Sequence, residues 1–265
     1  MNGAMRSRTS ASFSRVASPP TAPLRLLLAL VFIAACIAPT GSAEARWRKR
    51  QQALGAVNAG HLQHAARLHN TRYVKLRFPN NAWGTRRMVD VLQQCAKQVG
   101  KRHRSAHKLL VGDLSRRKGG PLPPHAGHQN GREADVGFYM RSGKPLAGLW
   151  KVGAYHIDAK RTLTFLSCLI GTGDVLNIFM ARALQPPLVR EAKRRRWTKA
   201  RIAKTFSWPR GRNKRVGIIQ HRGGHDNHLH VRLKCARHEK KCRNKPVARR
   251  HALRAKRRHR HARRK

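Results

Sequence analysis

Acidic residues are the scarcest feature of this 265-residue chain: ten Asp and Glu stand against 59 Lys and Arg, a formal net charge of +49. Such a charge concentrates polyanions around a protein, so it indicates an acidic partner: nucleic acid, anionic lipid or an acidic cell-wall polymer. Long apolar runs are also scarce. Because the chain has only one, a transmembrane channel or transporter is excluded. Aromatic residues are only 6%, which fits a modest core, while 40% apolar content argues against wholesale disorder.

The single apolar run, residues 24–35, lies near the N-terminus. It follows a basic stretch without acids and precedes the small residues 41–43, and it is shorter than the ~20 residues of a spanning helix. We therefore predict a secretory signal peptide over residues 1–43, export to the periplasm or cell envelope, and no transmembrane span in the mature form. The alternatives are an uncleaved membrane anchor and a lipoprotein, because residues 33–36 resemble a lipoprotein cleavage box that would anchor the chain at Cys36.

Export makes disulfide bonds permissible, and cleavage after residue 43 would leave four cysteines with three possible pairings. Cys235 and Cys242 are close in sequence at the end of the patterned region, so we expect them to pair, and Cys95 to pair with Cys168. Free buried thiols are the alternative, which geometry decides.

Composition divides the remainder of the chain into three parts. Residues 44–70 are basic and alanine-rich without a clear core face, which predicts a lead-in on the surface. Residues 71–242 hold nearly all the apolar patterning and form the predicted folded domain. Residues 243–265 are almost entirely Arg, Lys, His and Ala, a composition that predicts a disordered polybasic tail.

The patterned region alternates helical and strand periodicities. Predicted helices begin at Thr85 (to about Val99), at Asp158 (to Ile170) and at Asp174 (through Leu184), and a basic helical stretch spans 187–205 with a break near Trp197. Predicted strands span 109–111, 134–140, 216–219 and 228–234, and 115–131 is a loop. The fold class expected is α+β, a small antiparallel sheet flanked by helices.

Two histidine clusters, residues 125–135 and 225–230, carry the candidate chemistry. His228 and His230 share one face of a strand, Asp135 lies on the polar face of its own strand, and His128 lies in the preceding loop. Two adjacent strands would present His128, Asp135 and His230 as a three-ligand zinc site with an open fourth position, and would leave His228 free for proton transfer.

The alternative for these histidines is a solvated polar face, since the chain has 16 of them, many in basic runs. The scarcity of acids argues for a metal site instead. Of only ten acids, Glu133 and Asp135 lie beside one cluster and Asp226 lies inside the other.

A resemblance rests on residues 110–113, Gly119-Gly120, residues 125–135 and residues 228–235. Together these segments resemble the penicillin-insensitive murein endopeptidases, which are grouped with lysostaphin-type and D-Ala-D-Ala metallopeptidases by a His-x6-Asp motif followed by His-x-His. The resemblance covers about residues 71–242, and Cys235 and Cys242 match a disulfide of the family. Glu133 departs from it, because the family enzyme compared has aspartate there.

The resemblance implies one zinc ion per chain, with His128, Asp135 and His230 as ligands. It implies catalytic roles for His228 and His225, and for His125 an accessory metal site or a contact to the transition state.

The activity implied is that of a secreted zinc metallo-endopeptidase that hydrolyses peptide crosslinks of peptidoglycan (murein). Its partners would be stem peptides and anionic wall polymer, with nucleic acid not a primary partner. A secreted metal-dependent nuclease and a catalytically inactive polycationic protein that binds wall or nucleic acid are the alternatives.

Overall fold

A six-stranded mixed sheet forms the centre of the computed structural model, which describes residue 50 and residues 52–145, 147–210 and 216–247. The strands are β1 Ala53–Ala56, β2 Ala59–Leu62, β3 Ala66–Arg67, β4 Val74–Leu76, β5 Trp83–Gly84, β6 Leu109–Val111, β7 Glu133–Val136, β8 Val175–Met180, β9 Ile219–His221 and β10 Leu229–Leu233. The α-helices are α1 Arg86–Arg102, α2 Ala159–Gly171, α3 Pro186–Arg194 and α4 Lys199–Thr205, and short 3-10 turns span Pro79–Asn81, Ala154–His156 and Arg182–Leu184.

The strand order in the large sheet is β4-β6-β7-β10-β8-β9. The four central strands pair antiparallel, whereas the outer strands β4 and β9 run parallel to their neighbours. Two small antiparallel pairs, β1-β2 and β3-β5, lie outside this sheet. The predicted α+β class is confirmed, and the predicted antiparallel sheet corresponds to the central strands.

Helix starts follow the predicted capping residues. The Thr85 hydroxyl accepts the Met88 N–H at 3.2 Å, and Asp158 Oδ1 accepts the Arg161 N–H at 2.8 Å. Each side chain satisfies a backbone donor that the first turn leaves unpaired. The basic stretch 187–205 breaks as predicted, because Arg196 adopts a left-handed φ of 57° between α3 and α4.

The helix predicted from Asp174 to Leu184 is wrong, since residues 175–180 form strand β8. This strand lies between β10 and β9, and its apolar residues pack into the sheet core. Short apolar runs fit a helix face and a buried strand equally well, so periodicity alone does not distinguish them. Two predicted strands also differ in extent: β7 ends at Val136, where pairing to β10 stops, and β9 begins only at Ile219.

The surface lead-in predicted for residues 44–70 differs from the structure, because β1, β2 and β3 lie within it. Ala53, Ala56, Val57, Leu62 and Leu68 are buried there. Alanine and glycine give a strand little hydrophobic pattern, so the β1-β2 hairpin depends on partners distant in sequence. Its Gly55 exchanges two backbone hydrogen bonds with Lys241 and Arg243, at 2.8 and 2.9 Å.

The predicted tail boundary at residue 243 is also wrong, because residues 243–247 pack on the domain. The Asn244 side chain accepts the Cys235 N–H at 2.7 Å and lies 3.3 Å from a guanidinium nitrogen of buried Arg132. Asn58 bonds both the N–H and the carbonyl of Val247, at 2.8 Å each. The chain is therefore held in place through residue 247 by hydrogen bonds that sequence composition does not reveal.

Some predictions concern residues that lie outside the described part of the chain. These are the signal peptide over 1–43, the alternative anchor at Cys36 and the polybasic residues 248–265. Within the described part, none of the helices is both long enough and apolar enough to cross a membrane. All described residues belong to one compact unit, Glu44–Lys265.

Both predicted disulfides are confirmed. Cys95 joins α1 to Cys168 of α2 with Cα atoms 5.5 Å apart, and Cys235 joins Cys242 with Cα atoms 5.7 Å apart. The first closes a loop of 73 residues and the second a loop of 7.

We predict that the Cys95–Cys168 bond contributes more to stability. In the loop-entropy account the longer loop stabilises the fold by about 4 kcal/mol and the shorter by about 2 kcal/mol. Replacing both cysteines of each pair by alanine should therefore lower the melting temperature more for the 95/168 pair, measured by circular dichroism. Equal losses from the two pairs would contradict this order.

Candidate functional site

The histidine clusters meet where β7 and β10 pair at the centre of the sheet. His230 lies directly opposite Asp135 in the antiparallel register, and Arg232 lies directly opposite Glu133. His128 precedes β7 in the long loop, while His225 and His228 lie in the segment that leads into β10. The structure thus brings both predicted clusters to one place, and the strand register fixes which side chains meet.

Three imidazole rings converge on one oxygen, Oδ1 of Asp135. His230 Nδ1 is 2.9 Å from it, His228 Nε2 is 3.2 Å and His128 Nε2 is 3.3 Å. His125 lies on the other side of the carboxylate, with Nδ1 3.7 Å from Oδ2. The predicted ligands His128, Asp135 and His230 are all buried, so their donor atoms face one another rather than bulk water.

The orientation of His128 presents an electron pair, suited to a metal ion, to this centre. Its Nδ1 lies 2.8 Å from the Leu114 carbonyl oxygen, which can only accept, so Nδ1 carries the proton and Nε2 carries a lone pair. Nε2 is buried and makes no hydrogen bond, and the nearby Asp135 Oδ1, 3.3 Å away, can only accept. A buried nitrogen without a partner is costly, and a cation at this point would satisfy it.

Within the described residues, overlapping sets of side chains could hold a metal ion, because the ligand atoms within each set are no more than 4.8 Å apart. The three sets are His125, His128 and Asp135; His128, Glu133 and His230; and His225, His228 and His230. Imidazole and carboxylate are the donors that zinc takes in catalytic sites, so the residues present fit that ion. Asp135 also lies within 3.3 Å of both His128 and His230, although no single one of the sets contains all three.

The charges of this cluster suit a cation. Burial disfavours the charged form of His230, but Glu133 and Asp135 outweigh burial and raise its pKa to about 9. Burial likewise opposes ionisation of Asp135, yet the facing histidines hold its carboxyl pKa well below the ordinary value. The same carboxylates that stabilise an imidazolium here would stabilise a metal ion in its place.

Two further histidines, His228 and His225, present acceptors. His228 Nδ1 is 2.5 Å from Asn227 Oδ1, whose amide in turn donates to the Leu149 carbonyl at 3.0 Å. His225 Nδ1 is 2.9 Å from the Gly223 carbonyl. In the neutral form both rings therefore carry the proton on Nδ1 and a lone pair on Nε2. Burial lowers the pKa of His225 to about 4, so that residue is neutral at pH 7.

Sequence reasoning missed several residues that contact this cluster. Glu133 was noted as an acid beside one cluster and as a departure from a family pattern but was given no role, and Asn227 and Arg232 received none. Asp113 received none either, although its carboxylate lies 3.0 Å from His125 Nε2 and accepts the Asn81 amide at 2.7 Å. Scarcity is the signal that was available, because Glu133 and Asp113 are two of ten acids in a strongly basic chain.

Comparison with known proteins supports the resemblance drawn from the motifs. Residues 53–160 match the family model described as penicillin-insensitive murein endopeptidase, the family that the motifs resemble. The matched stretch includes His125, His128, Glu133 and Asp135, whereas the cluster 225–230 lies beyond it. No curated protein matches the chain.

Proposed function

Because residues 53–160 match the penicillin-insensitive murein endopeptidases, we propose that this chain is a zinc-dependent hydrolase of peptide crosslinks in peptidoglycan. The proposed ligand atoms are His128 Nε2, an Asp135 carboxylate oxygen and His230 Nδ1. The observation that carries the proposal is the convergence of three imidazole nitrogens within 3.3 Å of Asp135 Oδ1. Two histidines and one carboxylate leave a position open for water or substrate, as catalytic zinc sites do.

A bound zinc ion would supply the Lewis acid that polarises the scissile carbonyl and lowers the pKa of water toward ~7. His228 would accept the water proton at Nε2 and later return it to the leaving amine, because its Nδ1–H is held by Asn227. His225 also presents a lone pair at Nε2, which suits accepting or relaying a proton and not donating to an oxyanion. Between the two roles open to His225, we therefore favour the relay.

The setting of the site agrees with an exported enzyme of the cell wall. Stem peptides and wall polymers carry negative charge, and a chain of net charge +49 would be retained on them. Two disulfides fit an oxidising compartment outside the cytosol. We propose that residues 1–43 direct export, and that the acidic partner indicated by composition is the wall itself.

The decisive experiment incubates purified protein with murein sacculi and, separately, with plasmid DNA. We expect muropeptides cut at the crosslink, identified by mass spectrometry, and intact DNA. His128→Ala is the control for a contaminating hydrolase and should release nothing. Degraded DNA with intact sacculi would favour the nuclease, and bound zinc without turnover of either substrate would favour a non-enzymatic binder.

The polybasic residues 248–265 yield a separate prediction, which leaves the packed residues 243–247 in place. They contain no acid, so we propose that they tether the enzyme electrostatically to the anionic wall. Deleting 248–265 should preserve turnover of a small soluble muropeptide and reduce retention on sacculi, most at low salt, because exposed charges are screened beyond ~8–10 Å at physiological salt. Equal retention of the two proteins in sedimentation across a salt series would contradict the tether.

A further inference from the structure

Glu133 is the most completely buried acid of the site, with 0% of its surface exposed, and it lies behind the proposed ligands. One carboxylate oxygen, Oε1, is 2.8 Å from His230 Nε2. The other, Oε2, accepts the backbone N–H of His128 at 2.7 Å. A single carboxylate therefore touches both histidines: the His230 ring at the nitrogen that does not face Asp135, and the His128 backbone.

The surroundings hold this carboxylate in place. Arg232, opposite it in the strand register, donates from Nε to Oε1 at 2.6 Å. Gly127 makes room on the other side, because a Cβ there would lie 2.2 Å from Oε2. The bond to the His128 N–H also supports a backbone in the left-handed region, where φ is 61° and a side chain is disfavoured.

We propose that Glu133 is the positioning residue of the metal site, orienting both histidine ligands through one carboxylate. By accepting the Nε2–H of His230 it assigns Nδ1 of that ring to the metal, and by accepting the N–H of His128 it fixes the turn that aims His128 Nε2. Partners of this kind fix the tautomer and the orientation of ligating histidines. The inference rests on the proposed zinc site and adds to it a residue outside the ligand set.

The same geometry explains why the residue is glutamate. The strand places position 133 two residues before Asp135, on the same side of β7. From there the carboxylate must span the distance between the His128 backbone and the His230 ring, two groups on different segments. Aspartate is one methylene shorter, so we expect it to reach one of these partners but not both.

The test is zinc affinity in the purified full-length protein, measured by competition with a chelator. Glu133→Gln keeps the shape but replaces one acceptor oxygen with a donor, so we expect zinc to bind 10- to 100-fold more weakly, the usual effect of such partners. Glu133→Asp should weaken it less. Both variants should still bind about one zinc per chain when the metal is in excess. Glu191→Gln is the matched control, because Glu191 is a buried acid paired with Arg194 and Arg195 away from the site.

Unchanged affinity in both variants would overturn the positioning role, and loss of all zinc even at excess metal would make Glu133 a ligand instead. Thermal melting of the zinc-free proteins identifies any variant that fails to fold. If Glu133→Gln does not fold, the zinc affinity of Glu133→Asp tests the positioning role. If the unaltered protein binds no zinc, the proposed function itself fails. The two failures are therefore distinguishable.

A second, independent observation concerns the exposed aromatic side chains. Among the described residues, Phe78, Trp150 and Tyr155 are the exposed large hydrophobics, at 39%, 61% and 76%. Phe78 and Trp150 both lie near Arg77. The Arg77 guanidinium is 4.6 Å from the Phe78 ring centroid, and both Arg77 and Trp150 lie within 3.5 Å of where a Gly148 Cβ would be.

This ledge, formed by Arg77, Phe78 and Trp150, is connected to the site from both sides. The turn after Phe78 donates through Asn81 to Asp113, the partner of His125. The segment that carries Trp150 accepts the Asn227 amide at the Leu149 carbonyl, and donates from the Val152 N–H to the Asp226 carbonyl at 3.0 Å. The ledge therefore adjoins the residues on both sides of the candidate centre.

We infer that this ledge binds the glycan-peptide strand of murein beside the scissile crosslink, an inference that also rests on the proposed function. Aromatic faces stack on sugar rings, and a guanidinium close to these rings suits the carboxylate of a stem peptide. Phe78 and Trp150 are exposed and Arg77 is half-buried in advance of substrate, so little ordering is needed on binding.

Kinetics on a soluble crosslinked muropeptide test the ledge. Trp150→Ala and Arg77→Ala should each raise KM about tenfold, equivalent to 1.4 kcal/mol, and leave kcat unchanged, because they remove binding that is uniform along the reaction. Tyr155→Ala removes an exposed aromatic that is not part of the ledge and should change neither constant. An unchanged KM for both ledge variants, or an equal rise for Tyr155→Ala, would overturn the inference. Absence of hydrolysis by the unaltered protein would count against the function instead.

Discussion

Replacing His228 by alanine should lower kcat by at least ~10²-fold while the protein keeps its zinc, since general acid–base residues contribute this much or more. His228 Nε2 lies 3.2 Å from Asp135 Oδ1, at the edge of the proposed ligand set, and its ring is oriented by Asn227. It can therefore reach a proton at the metal without being needed to hold the metal. The measurement is muropeptide turnover together with elemental analysis of the same sample.

His156→Ala is the matched control, because His156 is exposed and belongs to neither histidine cluster. It should leave both turnover and zinc content unchanged. If His228→Ala loses zinc as well as turnover, then His228 is a ligand, and the set of His225, His228 and His230 becomes the better description of the site.

The Asp135→Ala, His230→Ala double variant should contain almost no zinc and have no detectable turnover. Asp135 Oδ1 is the atom on which the three rings converge, and His230 lies 2.9 Å from it, so the double change removes two of three donors. His128, the one ligand of the proposed set that remains, cannot hold zinc against buffer and water at ordinary concentrations. The unaltered protein should hold about one zinc per chain by elemental analysis.

Asp174→Ala is a suitable control here, because it removes an acid that pairs with Arg87 on the surface and not with any histidine. Its zinc content should equal that of the unaltered protein. Full zinc in the double variant would reject this ligand assignment outright.

Local patterns predicted the parts of the site that a single strand or loop determines. Strand periodicity placed His230 and His228 on one face, and the loop before β7 placed His128 near Asp135. That the two strands are adjacent was predicted, but their register was not, because nothing local states that His230 lies opposite Asp135 or that Arg232 lies opposite Glu133. The contacts of Glu133 follow from that register, which is why its role became visible only in the structure.

The same division explains the errors in the fold. Thr85 and Asp158 were identified as helix caps because a cap acts within one turn of the chain. Strand β8 and the β1-β2 hairpin depend instead on partners far away in sequence, and their own residues are compatible with other conformations. Residues 243–247 look like part of the tail by composition, yet Asn244 is bonded to the backbone of Cys235.

The pairing of Gly55 with Lys241 and Arg243 means that the folded domain begins and ends at one spot on its surface. Gly55 and Val57 also accept from Asn130 and Gln129, in the loop that carries His128. The β1-β2 hairpin therefore contacts both the C-terminal end of the domain and the loop that carries His128. For protein engineering, a short linker joining these neighbouring ends would give a circular permutant, with new termini opened at an exposed loop distant from the hairpin.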